Sequence, residues 1–212
     1  MTLLPLVLVG GGGHASDVLQ AIEAVNAVQP TYQVVGVLDD RDIDPRRFVA
    51  RGVTHIGPVD DVVSVDAAYV LCLGWPWTRH AVARRIGERG RAAPPIVHPA
   101  ADVGVGVELG SGSVILGCAH VSPFARFGAH AVVSYLASVG HDTTFGDCAS
   151  VMPHAAVSGG VCAGHRVLVG SGAVVREGIQ VGDDVRIGAG AVVVDAVATG
   201  ATVVGVPARG QP

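Results

Sequence analysis

Counting by sixes from Val97 meets an aliphatic residue, an alanine or a phenylalanine at every step to Val193, and no insertion breaks the phase. The series runs Val97, Val103, Leu109, Ile115, Val121, Phe127, Val133, Val139, Phe145, Val151, Val157, Ala163, Val169, Val175, Val181, Ile187, Val193. The residue four places on is small or aliphatic throughout, from Ala101 and Val107 to Ala191 and Val197. Glycine often follows directly, as at Gly104, Gly110, Gly128, Gly140, Gly146, Gly164, Gly170, Gly182 and Gly188. A six-residue period fits neither a helix nor a lone alternating strand. It fits a parallel β-helix of hexapeptides, each a short strand plus a corner. The aliphatic residue is then expected to point inward, and the glycine to tolerate corner backbone angles closed to residues with a Cβ. No single turn buries its own core, so stability comes from stacked neighbours.

A narrow prism filled by Val, Ala and Ile accounts for the 30 glycines and the low aromatic share of 4%. A net charge of -4 gives no reason to propose nucleic acid. Cys72, Cys118, Cys148 and Cys162 form no CxxC pair and no disulfide framework, which points to a reducing, cytoplasmic setting. The apolar run Leu3 to Val9 has no basic residues before it and no cleavage pattern after it, so it reads as a buried strand rather than a signal peptide. No apolar run approaches the length of a membrane span.

Ahead of the repeats the chain alternates strands and helices. Strands are expected at 6–9, 33–38 and 68–73, helices at 15–28 and 76–90, and a short helix at 58–63. Pro76 sits in the first turn of its helix. This is the pattern of a small parallel, Rossmann-like α/β domain. Ala93-Pro94-Pro95 marks the boundary, giving an α/β domain over 1–95 and a β-helix over 96–212.

Gly10 to Gly13 joins the first strand to the first helix. Such a loop lets backbone N–H groups approach an anion at the helix N-terminus, though a tight turn without a ligand has the same composition. Gly10-x-Gly12-x-x-Ala15 also fits a loose dinucleotide pattern, but Asp39-Asp40 lies further along than that pattern expects. Gly10-Gly11-Gly12-Gly13-His14, Val37-Leu38-Asp39-Asp40, Ile56-Gly57 and His98-Pro99-Ala100, in that order, resemble the bacterial sugar O-acyltransferase family of sialic-acid and bacillosamine pathways, a branch of the hexapeptide-repeat acyltransferases. The resemblance spans nearly the whole chain. It implies a left-handed β-helix with three hexapeptides per coil. It also implies that Gly12, Gly13, His14, Asp39, Asp40, Ile56 and Gly57 hold a nucleotide-linked amino sugar or a related small acceptor, and not NAD. Many members carry Lys two residues after the histidine; this chain has Ser16, which weakens the case for a uridine diphosphate group.

With three hexapeptides per coil, residues 18 apart stack at about 4.8 Å, and Gly159 lies one coil above His141. A thioester acyl transfer needs a base for the attacking amine or hydroxyl and a donor for the developing oxyanion. His141 suits the first task and the Gly159 N–H the second, while the neighbouring Asp142 carboxylate makes the imidazole a stronger base. The resemblance supports these roles, since Gly140-His141-Asp142-x-x-Phe145-Gly146-Asp147 is similar to the family's His–acid motif. It further implies that coenzyme A, with acetyl-CoA as acyl donor, meets Ser150, Gly159, Ser171, Gly188 and Ala189, and that the chain forms a homotrimer. Ser150 stands where some members place a second histidine. His120, just before a corner, is a weaker second-site candidate. No metal is expected, because no two of the prism histidines are four or five residues apart. Two rival readings remain, a metal-dependent lyase akin to carbonic anhydrase and a non-catalytic β-helix scaffold.

Overall fold

The structure, a computed structural model, describes residues 2–210. The first domain is a four-stranded parallel sheet of β1 (Leu4–Val9), β2 (Tyr32–Leu38), β3 (His55–Gly57) and β4 (Ala68–Leu71), in the order β3-β2-β1-β4. Leu6 to Val9 are fully buried because both faces of the sheet are covered. Leu6 and Leu8 pack with Ala15, Val18, Leu19 and Ile22 of α1 (Gly13–Val28). Val7 and Val9 pack on the other side with Val59, Val62 and Ile86, the last residue of α2 (Pro76–Ile86).

Three local features differ from the sequence expectation. β3 is too short to show an alternating pattern and was not expected as a strand. The segment Val59–Val63 is a 3-10 helix. The second helix stops at Ile86 because Gly87 takes φ 58°, and a 3-10 turn over Gly87–Arg89 follows.

From Ile96 onward the chain winds into a left-handed prism of two-residue strands. Its first face contains the strands beginning at Ile96, Val114, Val132, Ser150, Leu168 and Arg186, its second those from Asp102 to Val192, and its third those from Glu108 to Gln180. Each strand pairs in parallel with the strand one coil on, as Val132 with Ser150, Ser138 with Ala156 and Thr144 with Cys162. The sixth-residue series and the series four places later point inward and form one continuous apolar column. Burying a valine is worth about 1.5–3 kcal/mol, so a column of such rungs supplies most of the drive to fold.

The repeating glycines play a different part from the one expected. None of the nine that follow an inward residue has a positive φ. They are needed because the next coil lies against them. A Cβ on Gly104 would stand 2.6 Å from the Pro123 nitrogen, and one on Gly170 would stand 2.6 Å from that of Ala189. The left-handed backbone falls two residues later, at Gly106, Gly112, Cys118, Phe124, His130, Leu136, Asp142, Cys148 and their successors.

The first domain covers the first face of the prism. Ile96, Val114, Leu116 and Val132 share one apolar cluster with α1. At the far end the register slips, so that Arg186 pairs with Thr202 and not Val204. The strand Arg209–Gly210 then turns back antiparallel against Val203–Val204.

Candidate active site

His141 and Asp142 occupy the corner between the second and third faces. His141 Nδ1 lies 2.7 Å from Asp142 Oδ2, and both side chains are mostly exposed. Asp142 holds φ 57°, an angle that Asp and Asn tolerate better than most residues. Gly159 sits one coil above. A Cβ there would meet the imidazole, with Nε2 at 2.7 Å and Cε1 at 2.8 Å, so the ring lies where any other residue would place its side chain. The pair is tied together by the Gly160 N–H, which donates to the His141 carbonyl at 2.8 Å. The Gly159 N–H itself donates to no acceptor among the described residues.

The corner between the third and first faces shows what such N–H groups do elsewhere. The Ala129 N–H donates to Asp147 Oδ1 at 2.8 Å, that of Asp147 to His165 Nδ1 at 3.0 Å, and that of His165 to Asp183 Oδ1 at 2.8 Å. Each side chain from one coil on closes the amide beneath it. Gly159 has no side chain to close the His141 amide beneath it, and among the described residues no side chain, that of Glu177 one coil further on included, closes the Gly159 amide. A second polar pair, His120 Nδ1 with Asp102 Oδ2 at 2.8 Å, lies on the second face and reaches Ser122 rather than His141.

The expected acceptor residues gather at the carboxyl ends of the parallel strands, where open α/β sheets bind ligands. Asp39, at the end of β2, clamps the glycine loop by accepting from the Gly11 N–H at 2.8 Å. Burial alone would raise the Asp39 carboxyl, but bonds from the Arg41 side chain and from the Gly11 and Arg41 amides outweigh it and hold the pKa below the ordinary 3.8. Asp40 is also lowered, chiefly by the Arg85 guanidinium and then by the Val59 N–H at 3.0 Å. Both acids are therefore paired with arginines beside the glycine loop.

Val9, Gly10, Asp39, Asp40, Arg41, Val59, Leu73, Thr78 and Val82 line a cavity of about 210 Å³. Gly12 and Gly13 are exposed and do not line it. The Ile56 side chain lies over Gly36, and the missing side chain of Gly57 makes room for Asp61. His14 keeps Nδ1 3.9 Å from Asp17, and its buried Nε2 has no hydrogen-bond partner among the described residues. No motif or spacing singles out Arg41, Leu73 and Thr78, which are ordinary loop and helix residues until the fold brings them to one cavity.

The expected coenzyme residues are divided. Ser171, Gly188 and Ala189 lie at the corner between the first and second faces, one face away from His141 within the same chain. Gly188 is needed locally, since a Cβ would stand 2.7 Å from Val204 Cγ1. Ser150 requires a correction. It is fully buried on the first face beneath the first domain, and its hydroxyl accepts from Arg79 Nη2 at 2.7 Å. That hydroxyl joins the two domains and has no surface to offer a coenzyme. Among the described residues no group of three or more His, Cys, Asp or Glu could hold a metal ion, and no helix is long and apolar enough to cross a membrane.

Residues 5–86 match the model of the PglD N-terminal domain, and residues 161–195 that of the hexapeptide repeat of succinyl-transferase. Among curated protein sequences none matches the chain. The acetyltransferase domain of PglB from Neisseria gonorrhoeae, solved with acetyl coenzyme A, is 28% identical with a TM-score of 0.88, over 99% of this chain and 100% of that one. PerB from Caulobacter crescentus, solved with CoA and GDP-perosamine, is 27% identical with a TM-score of 0.89, over 100% and 99% of the two chains. WeeI from Acinetobacter baumannii shares the fold at 22% identity and a TM-score of 0.81, over 99% and 100%. With a PglD-type domain in front, a hexapeptide-repeat match behind, and end-to-end likeness to PglB and PerB, the chain is similar over its whole length to sugar acetyltransferases of the hexapeptide-repeat kind that its sequence resembles.

Proposed function

We propose that the chain transfers an acetyl group from acetyl-CoA to the amine of a nucleotide-linked amino sugar. The first domain holds the nucleotide at the Gly10–His14 loop, beside Asp39, Asp40, Ile56 and Gly57. His141 Nε2 accepts the proton as the amine attacks the thioester carbonyl. Asp142, bonded to Nδ1, stabilises the imidazolium that results. The Gly159 N–H receives the oxyanion of the tetrahedral intermediate. Collapse breaks the C–S bond, and the coenzyme thiolate leaves with the proton that His141 had taken.

One observation carries this assignment: the imidazole stands where a Gly159 side chain would begin, and the N–H of that same glycine has no acceptor among the described residues. Further support comes from PerB, whose solved complex contains CoA and GDP-perosamine, and from forms of that enzyme crystallised with a single histidine replaced. Ser171 and Ala189 line the coenzyme groove only if a neighbouring prism brings their corner to the His141 corner of another copy. The functional unit is therefore a homotrimer, in the cytoplasm where acetyl-CoA is available.

The test is release of free thiol from acetyl-CoA by the wild type and His141→Ala, with amino-sugar nucleotides as acceptors. Transfer by the wild type and its loss in a folded variant are expected. Near-normal turnover in the variant removes His141 as the base. Retained transfer after exhaustive chelation is expected as well, whereas bound metal in the purified protein with no thiol released from acetyl-CoA would favour the metal-dependent lyase.

A further inference from the structure

Arg79, on α2, is the largest side chain that the fold buries completely, with 1% exposed. Burial pulls its pKa down to about 10, so it keeps its charge at neutral pH. Among the described residues no carboxylate pairs with it. Its bonds go to neutral oxygens. Nη1 donates to the carbonyls of Leu73 and Gly74 at 2.7 and 3.1 Å, and Nε to that of His130 at 3.0 Å. Nη2 donates to the carbonyls of Cys148 and Ala149 at 2.9 and 3.1 Å and to Ser150 Oγ at 2.7 Å. Burying an ion without a counter-ion is expensive, and an apolar side chain of similar volume often packs as well. Packing alone therefore does not account for a guanidinium here.

Five of the six bonds fall into two sets, and the sixth, to His130, reaches the preceding coil. Leu73 and Gly74 form the turn after β4, and Leu73 lines the acceptor cavity against Gly10, where a Cβ would meet it at 2.8 Å. Cys148, Ala149 and Ser150 belong to the coil that starts at His141 and returns one rung higher at Gly159. We infer that Arg79 is a positioning residue, fastening the wall of the acceptor cavity to the coil that joins His141 to Gly159. Its role in turnover rests on the proposed acyl transfer, whereas the tie between the domains does not. A planar fork with five N–H donors suits six oxygens spread over two domains, and a lysine ammonium does not.

Trp75 and Trp77 lie beside it and are the chain's two tryptophans. Their rings stack with centroids 5.1 Å apart, and the Arg186 guanidinium of the prism lies 4.3 Å from the Trp77 ring. Tryptophan emission therefore reports how this turn sits on the prism.

The experiment compares full-length wild type, Arg79→Lys and Ser150→Ala. Amide exchange over residues 73–77 and tryptophan emission are read without substrate; CoA affinity and kcat are read with acetyl-CoA and GDP-perosamine. Folded Arg79→Lys should exchange faster over 73–77 and emit at longer wavelength. Its kcat should fall by about ten- to a hundredfold, as for a misplaced reactant, while CoA affinity stays within about twofold. Unchanged exchange and emission would overturn the tie, and wild-type kcat with altered exchange would overturn the positioning role. If Arg79→Lys does not fold, Ser150→Ala keeps the guanidinium and removes one acceptor. The same shifts should then appear at smaller size, and their absence overturns the inference. If the wild type transfers no acyl group to any acceptor, the proposed function fails, while exchange over 73–77 still decides whether the tie exists.

Discussion

The His141 imidazole fills the space directly under Gly159, 2.7 Å from where a Cβ would begin. Gly159 does not have a positive φ, so alanine is permitted by the backbone and excluded only by the ring. Gly159→Ala should therefore keep its melting temperature within a degree or two. Turnover should drop by about 10²-fold, comparable to the loss of an oxyanion donor. Thermal melts and thiol-release kinetics on the same sample check both parts. An active alanine variant would show that the ring and the peptide do not work together.

Asp142→Asn preserves the corner, because asparagine tolerates the left-handed angle that Asp142 adopts at φ 57°. It removes the negative charge 2.7 Å from His141 Nδ1. Turnover should decrease by about 10- to 100-fold, less than the 10²–10⁴ typical of removing the base itself. Thiol-release kinetics check this, and wild-type turnover would assign Asp142 to backbone geometry alone.

Asp39 stabilises the glycine loop only while ionised. Its pKa in the folded protein lies below 3.8, so the contribution is fully present above that value and disappears as pH falls through the lowered pKa. Asp39→Ala removes the acceptor of the Gly11 N–H, a charge-assisted bond worth about 1.5–3 kcal/mol. The variant should melt several degrees lower and show about a tenfold rise in acceptor KM, with CoA affinity unchanged. Its stability should also lose part of the wild type's dependence on pH below about 4.

Two glycines at one corner separate two causes of glycine use. A Cβ on Gly170 would run into the backbone of the next coil at Ala189 and Gly188, whereas Gly172 has open space around it but φ 66°. Gly172→Ala should destabilise by about 1 kcal/mol, the left-handed penalty. Gly170→Ala should cost about 3 kcal/mol or more, because two backbones must part. Denaturant melts rank them, and the reverse order would contradict the packing explanation.

The repeat was readable because inward residues must be apolar and a coil of fixed length stacks like on like. The same arithmetic puts Gly159 over His141. What the spacing does not carry is the reason for each glycine. Cys118, Phe124, Leu136 and Arg166 give no sign that they take the left-handed angles. Nor does spacing say which prism face is covered. Ser150 reads as a surface residue until the first domain lies on it. Arg41, Arg79 and Arg85 look like solvated charges in the chain, since their partners are 2 to 71 residues away and come together only in the folded protein. β3 escaped notice because three residues show no period.

A stack of parallel rungs has no internal reason to stop, and its last rung offers unpaired peptide groups to any similar edge. The antiparallel turn of Arg209–Gly210 against Val203–Val204 covers that edge on the first face. Removing it should turn a discrete enzyme into a seed for end-to-end filaments, with the length of the column no longer set by the gene but by the supply of chains.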